Sequence, residues 1–467
     1  MLPLLLLASV ALSAPTPQQS ADPAAKAVID TALARMGGAD AVARVQRVRR
    51  EMLTTWQRVN FRDEPYADGP SFELHTDIRD YGLNAWKNTR KFSLTNSGQQ
   101  IVDIVNDSVA IRQMPNGAWT SLSMAYVDER HELFAIAPER ILLLAQRAPD
   151  LKIGRDTTID GFPAARVTAT VDRFAMTIIL RRGDGLPAMA RFRAAQPNDF
   201  GLLEWGPMEV ETWYSRWTRT AAGVALPYQI DQRRLGRPYK RMSVLAMAFD
   251  TVATPETFAI SDSLRGVYFA KDAKSMIDLP FDSAKVVENT FVAFATPGAP
   301  AGAVKVGGKW VLLEAGQGDL SAERALEWLT AHDAATPVAG AVLTMTSAGN
   351  GGITVLARLR VSTWIAPGSK PFVDRMLGNT GVTGVSPIQV TRPQWVKVGN
   401  DSLWLAPIDL PDSPRSLLVY SPTLKWAYSA NAFAPLQQQY VLAALRAKGW
   451  SVEKIGSARS ISTAAPR

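Results

Sequence analysis

The chain has 467 residues, 47% of them hydrophobic and 20% charged, which is too long for one ordinary domain and ample for two or three buried cores. Its 51 basic residues exceed its 43 acidic ones by a net +8, with no long run of like charge and no nucleic-acid module, so no nucleic-acid partner is expected. Cysteine is absent, which excludes disulfides, thiolate catalysis, Cys-ligated zinc and thioether lipidation. Only three histidines stand in the chain, His75, His131 and His332, far apart and without metal-ligand spacing.

The apolar run Leu2 to Val10 is followed by Ala11-Leu12-Ser13-Ala14. It is shorter than the roughly 20 residues of a membrane span. It reads as a signal peptide, residues 1–14, cleaved after Ser13 or Ala14, although no basic residue precedes it; a membrane anchor is the alternative. The mature protein is therefore expected outside the cytoplasm, periplasmic or secreted. Residues 15–22 form a linker. Asp22 then caps a helix that begins at Pro23 and stops at Gly37-Gly38. A short helix near Asp40 to Val45 leads into a strand over Val48 to Val59. Period-two alternation from Gly82 to Gln113 predicts strands, with a turn at Asn116-Gly117. Met124 to Arg147 reads as helix interrupted by Pro138. Further strands follow through RVTATV, AMTIILRR, PAMARFRA, PMEVETWYSRW and KRMSVLAMAF.

Residues 23–262 thus read as one α+β domain with a large antiparallel sheet. The opening helix with its MGG stop, the segment LKIGRDTTIDGFPAARVTAT and the late GVALPYQIDQRRLG resemble the lipoprotein-sorting fold of the LolA/LppX type. That resemblance implies a curved sheet, a half-barrel, wrapped around helices and leaving an apolar cavity; a generic antiparallel sheet domain is the plainer reading. Six of the thirteen tryptophans fall here: Trp56, Trp86, Trp119, Trp205, Trp213 and Trp217. They serve either as core or as walls of an apolar cavity, and Trp213 and Trp217 are expected on one face. The basic stretch Arg233 to Arg241 suits anionic headgroups or nucleic acid, or is a solvated hairpin. His131 is expected to pair with Asp128, and His332 to meet carbonyls at a helix end. His75 is expected in a loop or strand edge without a partner.

Residues 263–467 read as a second domain, with VYFAKDAKSMIDLPF as a candidate first strand. Strands and helices then alternate, including a helix from Ser321 to Ala331 capped by Ser321, a buried strand VAGAVLTM, a Gly-rich loop SAGNGGI and a closing helix LQQQYVLAALRAKG. The stretch Leu343-Thr344-Met345-Thr346-Ser347-Ala348-Gly349-Asn350-Gly351-Gly352 resembles the THxHxDHxGG loop of metallo-β-lactamase-fold hydrolases. The resemblance implies an αββα sandwich and carries the family's ligand positions onto this chain. The two leading histidines fall on Met345 and Ser347, the aspartate on Gly349 and the next histidine on Asn350. Farther on, Asp412 takes a histidine place and Asn431 the bridging aspartate place, while Glu314 in VLLEAG stands at the usual acidic strand end.

Zinc needs nitrogen, sulfur or charged oxygen donors about 2.0–2.3 Å away, and a thioether, a bare glycine and two amides supply a poor set. No cofactor and no catalytic residue is therefore expected. The positions Met345, Ser347, Gly349, Asn350, Asp412 and Asn431 are vestigial, and Glu314, Ser347, Asn350, Asp412 and Asn431 could line a residual polar pocket. The first functional reading is a non-catalytic binding or scaffold protein holding a lipid or other apolar ligand, with an inactive hydrolase-like domain. The second is a hydrolase with a zinc-independent site, using Asp412 or Glu314 as base.

Overall fold

The computed structural model describes residues 21–57, 71–92, 99–196, 207–250, 253–270, 283–295, 300–345, 349–383, 386–411 and 413–466. The expected signal peptide, most of the linker, Trp205, Ser347 and Asp412 lie outside the described residues.

The opening helix runs Pro23–Met36, with Asp22 accepting from the Ala24 amide at 2.8 Å and Gly37 ending it at φ 122. A side chain at Gly37 is doubly excluded, because a Cβ would stand 2.6 Å from the Gly223 carbonyl oxygen. Ala25, Ile29, Ala32, Leu33 and Met36 form the buried stripe of this helix, and they join a core built with Val167, Ala169, Ile178, Phe192, Val210 and Leu226. The helix Ala39–Arg44 follows.

The helices pack on a fourteen-stranded antiparallel sheet that does not close on itself. From one edge its order is Trp119–Ser121, Val109–Gln113, Gln100–Asn106, Ala85–Phe92, Ser71–Asp80, Arg47–Trp56, Arg237–Phe249, Ala225–Arg234, Met208–Arg219, Pro187–Ala194, Phe174–Arg181, Phe162–Val171 and Lys152–Ile153. The strand Thr157–Ile159 pairs with Phe162–Val171 off this path. Alternation turns Val48, Arg50, Met52 and Thr54 to the covered face, where each is buried. Helices Ala125–Ala135 and Ile141–Arg147 cover it, separated at Pro138 as the sequence predicts, and the Tyr214 hydroxyl donates to the Ile136 carbonyl at 2.6 Å. Gly117 turns with φ 82 at the predicted Asn-Gly site.

The remaining strands form two sheets. The seven-stranded one runs Ala284–Val287, Phe291–Phe294, Ala301–Val306, Lys309–Ala315, Val338–Leu343, Thr363–Ile365 and Ile388–Gln389, antiparallel at first and parallel from Lys309–Ala315 onward. The six-stranded one runs Gln394–Val398, Asp401–Leu410, Ser413–Ser421, Trp426–Tyr428, Lys454–Ser457 and Ser460–Ala464. Val304, Val306, Val311 and Leu313 of the first share one core with Leu403, Leu405, Leu417, Val419 and Trp426 of the second. The alternate residues Ala303 and Leu312 instead pack with Ala325 and Leu329 of helix Asp319–His332. Trp404 and Ala406 likewise pack with Val441 and Leu445 of helix Pro435–Arg446.

Several expectations are corrected. Residues 267–270 of the segment read as a first strand belong to helix Asp262–Ala270, which crosses the expected boundary at 262/263 and buries Tyr268 beside Val105 and Ile111. The helix expected from Ser321 starts at Asp319 with Gly318 before it, so Ser321 lies inside the helix and caps nothing. His75 is buried in the strand Ser71–Asp80, bonded to Glu73 at 2.8 Å and stacked on Trp56. His131 meets Asp172 at 2.8 Å, while Asp128 binds Arg173 at 2.7 Å. His332 ends its helix but stacks on Trp328, ring centroids 4.4 Å apart. Trp213 and Trp217 do not share a cluster: Trp213 packs with Ile159 and Ala188, and Trp217 with Tyr214 in the main core. Arg216, at φ 55, stands between them and breaks the alternation that the sequence reading assumed.

Candidate functional site

The strand Lys309–Ala315 carries one residue too many for its neighbour. Gly302 pairs with Leu313 and Ala301 with Ala315, which leaves Glu314 unpaired in a bulge at φ 59. A left-handed conformation at a residue with a long side chain costs roughly 1–3 kcal/mol, and such residues concentrate at functional sites. The Glu314 carboxylate is fully buried. Its Oε1 accepts from the Thr344 amide at 2.8 Å and the Thr344 hydroxyl at 2.6 Å. The same hydroxyl oxygen accepts from the Ala430 amide at 2.8 Å, and the Thr344 carbonyl accepts from the Leu417 amide at 3.0 Å. Thr344 therefore ties Glu314 to both sheets. Burial pushes the Glu314 carboxyl up to about 7, against the pull of the two Thr344 bonds. The buried Tyr428 hydroxyl is pushed well above its ordinary value, by burial first and then by the Glu314 charge.

The Gly-rich loop closes over this carboxyl. The Gly349 carbonyl accepts from the Ala315 amide at 2.6 Å, and the Gly316 carbonyl from the Gly351 amide at 3.1 Å. A Cβ at Gly351 would lie 2.1 Å from the Gln317 carbonyl oxygen, so only glycine permits this approach. Asn350 is fully buried and donates to the Met345 carbonyl at 3.3 Å, and Ser369 donates to the same oxygen at 2.8 Å. Asn431 donates to Ser416 Oγ at 3.2 Å. Glu314 Oε2, Asn350 Oδ1, both side-chain polar atoms of Gln317, Ser321 Oγ and Ser429 Oγ are buried without a hydrogen-bond partner among the described residues. Buried polar atoms are usually satisfied, so such a concentration marks a region built for more than packing.

Of the sequence-predicted positions, Glu314, Met345, Gly349 and Asn350 come together. Asn431 joins them through its neighbour Ala430, whose amide meets Thr344. Ser347 and Asp412 lie outside the described residues. Sequence reasoning missed Thr344 as the central tie, missed Gln317 and Ser429, and named Ser321 only as a helix cap. A hydroxyl ending a buried strand just before a Gly-rich loop was the available signal for Thr344.

The described residues do not fit the zinc centre that the hydrolase resemblance implies. A Cβ at Gly349 would stand 3.0 Å from Glu314 Oε2, so this chain's own carboxylate fills the volume of a side chain at the aspartate position. Met345 supplies a thioether, and Asn350 and Asn431 supply only uncharged amide oxygens, a poor donor set for zinc. Among the described residues no group of three or more His, Cys, Asp or Glu converges on a point.

The covered face of the large sheet is the second candidate region. It is not uniformly apolar, as a simple lipid cavity would be. Arg50 binds Glu139 at 2.5 Å, Arg79 binds Asp77 at 2.8 Å, the Trp86 indole donates to Asp77 at 2.8 Å, and Tyr81 donates to Glu139. Arg234 binds Glu132 at 2.8 Å. Beside this charged strip lies an aromatic one. Trp56 meets Tyr239 edge-on at 5.6 Å, and Tyr214 meets Trp217 at 6.4 Å. The indole nitrogens of Trp56 and Trp217, and the hydroxyls of Thr54 and Thr212, are buried without a partner among the described residues.

No family model matches the chain, and no curated protein matches it in sequence. Among solved structures, a domain named for outer membrane lipoprotein sorting, from Vibrio parahaemolyticus, is 8% identical, covers 50% of this chain and 95% of its own, and superposes with a TM-score of 0.32. The metallo-β-lactamase FIM-1 from Pseudomonas aeruginosa is 14% identical, covering 41% of this chain and 92% of its own with a TM-score of 0.31. A metallo-β-lactamase from Pontibacter korlensis is also 14% identical, with 37% and 88% covered and a TM-score of 0.29.

Proposed function

We propose that this chain is an extracytoplasmic binding protein, periplasmic or secreted, that holds an amphiphilic, lipid-like ligand against the covered face of its large sheet. In this reading residues 23–262 form a half-barrel of the lipoprotein-sorting type. Residues 263–467 form a degenerate metallo-β-lactamase-like αββα sandwich that acts as scaffold or partner surface. The observation that carries it is the aromatic strip at Trp56, Tyr214, Trp217 and Tyr239, whose two indole N–H groups and the Thr54 and Thr212 hydroxyls have no hydrogen-bond partner among the described residues. Aromatic walls with a few convergent polar groups are what an apolar ligand with a polar head requires. The scaffold role of the second part draws support from the Glu314 carboxylate beside Gly349.

Native mass spectrometry of the full chain, followed by solvent extraction, tests the reading. Lipid-mass adducts are expected on the wild type and are lost in the Trp56→Ala/Trp217→Ala double variant. A chain that carries no adduct and does not bind a fluorescent fatty-acid probe overturns it.

One observation favours a second reading. A buried carboxyl near neutrality with one unpartnered oxygen has the pKa of a general base. Turnover of ester, phosphodiester or β-lactam reporters that falls in Glu314→Gln would move the protein to the zinc-independent hydrolases. Equal turnover in both removes Glu314 as a base.

A further inference from the structure

A cleft of about 670 Å³ opens on the large sheet where the strands Arg47–Trp56, Met208–Arg219, Ala225–Arg234 and Arg237–Phe249 meet the hairpin at Phe162. Its volume lies within the roughly 300–1,000 Å³ of small-molecule pockets. Its floor is a line of side chains set by register, with Trp213 beside Asp231, Asp231 beside Arg241, and Arg241 beside Thr55 across four strands. Phe162, 67% exposed, and Ile159 wall one side from the hairpin that pairs Thr157–Ile159 with Phe162–Val171.

The chemistry of this floor is directional. The Trp213 indole nitrogen donates to Glu211 at 3.1 Å, and Glu211 is itself held by Arg191 at 2.6 Å, so the ring is fixed in place. Arg233 lies over the fixed ring, its guanidinium carbon 4.7 Å from the ring centroid. A guanidinium stacked on an aromatic face keeps its in-plane N–H groups for a planar anion such as phosphate or carboxylate. Arg241 is 71% exposed in its side chain, and Asp231 stands 3.9 Å from it. Asp231 already accepts from Gln229 at 2.5 Å. Arg181, also in the lining, is held by Asp184 at 2.5 Å and so is committed to its own turn. Asp160 and Lys240 also line the cleft, but among the described residues no carboxylate pairs with Arg233 and only Asp231, at 3.9 Å, pairs with Arg241, so two arginines remain open beside apolar surface.

We infer that this cleft binds a phosphate-type anion carried on an apolar body, with Arg233 and Arg241 taking the charge and Trp213 and Phe162 the apolar part. Trp56→Ala/Trp217→Ala and Arg233→Gln/Arg241→Gln change different side chains and so separate this site from the lipid-like one proposed above, although Tyr214 and Tyr239 border both. The anion is supplied either by a soluble phosphate ester or by a lipid headgroup at a membrane surface.

Calorimetric titration of the full chain with 1-naphthyl phosphate and with uncharged 1-naphthol tests the soluble source. Flotation with phosphatidylcholine vesicles, with and without phosphatidylglycerol, tests the headgroup source. Each is run on the wild type and on Arg233→Gln/Arg241→Gln, whose melting temperature confirms folding. If the phosphate ester binds, the naphthol does not, and the double variant loses roughly tenfold or more, a soluble ester is the ligand. If only the anionic vesicles recruit the protein, and only with both arginines present, the headgroup is. Either result supports the site, and added salt should weaken it. No binding in either arm, or equal binding by the double variant, overturns the inference.

Discussion

Glu139 and Glu314 are both fully buried carboxyls, and the chain treats them in opposite ways. Burial pushes Glu139 up, but the guanidinium groups of Arg50 and Arg79 more than reverse this and hold it below the ordinary carboxylate range. Among the described residues no cation faces Glu314, which is met by the Thr344 hydroxyl and backbone amides, so burial prevails and the carboxyl rises to about 7. The difference teaches that burial alone does not set protonation: the partner does. The large sheet spends its buried charge on fixed structure, whereas the C-terminal sheets keep a carboxyl that can change state near neutrality.

The largest effect should come from breaking the ion-paired region. Arg50→Met leaves Glu139 without the guanidinium that holds it at 2.5 Å, and an orphaned buried charge of this kind costs about 3–5 kcal/mol. Urea denaturation should show that loss, and a change below 1 kcal/mol would mean that Arg79 compensates alone.

The next effect is in pH dependence, where the two regions should slope in opposite directions. Below the ordinary value of 4.5, Glu314 is protonated in both folded and unfolded chains and contributes no pH dependence. Between 4.5 and about 7 the unfolded chain ionises there while the folded one keeps its proton. Stability from this residue therefore falls as pH rises across that window, by on the order of 3 kcal/mol, and levels off above it. Glu139, lowered in the folded state, contributes stability above the ordinary carboxylate range that is lost as pH falls through its folded value. Denaturation curves of Glu314→Gln should lose the decline between pH 4.5 and 7 and keep the acid-side loss. An unchanged slope in the variant would show that Glu314 is not the titrating group.

Gly349→Asp introduces a carboxylate beside Glu314. At φ +86, with the new Cβ 3.0 Å from Glu314 Oε2, it should cost about 2 kcal/mol. Adding Glu314→Ala should return most of that loss, and thermal melts of the single and double variants would read it. A single variant as stable as the wild type would mean that Glu314 does not occupy that volume. The smallest effect is expected at the half-exposed His131–Asp172 pair, where His131→Ala should change stability by less than about 1 kcal/mol.

The parts of the fold legible in the sequence are those decided by neighbours along the chain. The Asp22 cap, the Gly37 stop, the break at Pro138 and the Asn116-Gly117 turn each depend on a few residues and were read where they occur. Alternation located the strands for the same reason. It failed at Trp213 and Trp217, because one left-handed residue, Arg216, interrupts a pattern that counting treats as continuous. In the candidate site, the sequence marked Glu314, Met345, Gly349 and Asn350 by resemblance. Thr344 stayed hidden as a ligand of Glu314 because that bond spans 30 residues and its second bond, to Ala430, spans 86.

By itself, then, the sequence determined which chemistry this chain lacks. With no cysteine, no spatial arrangement could assemble a disulfide, a thiolate nucleophile or a Cys-ligated zinc site. What only the tertiary structure decided is how the remaining polar groups are used. His131 chose Asp172 over Asp128, Glu139 was given two arginines, and Glu314 was given Thr344. Partner choice and protonation follow from distance and dielectric, and those exist only once segments far apart in the chain have been packed against one another.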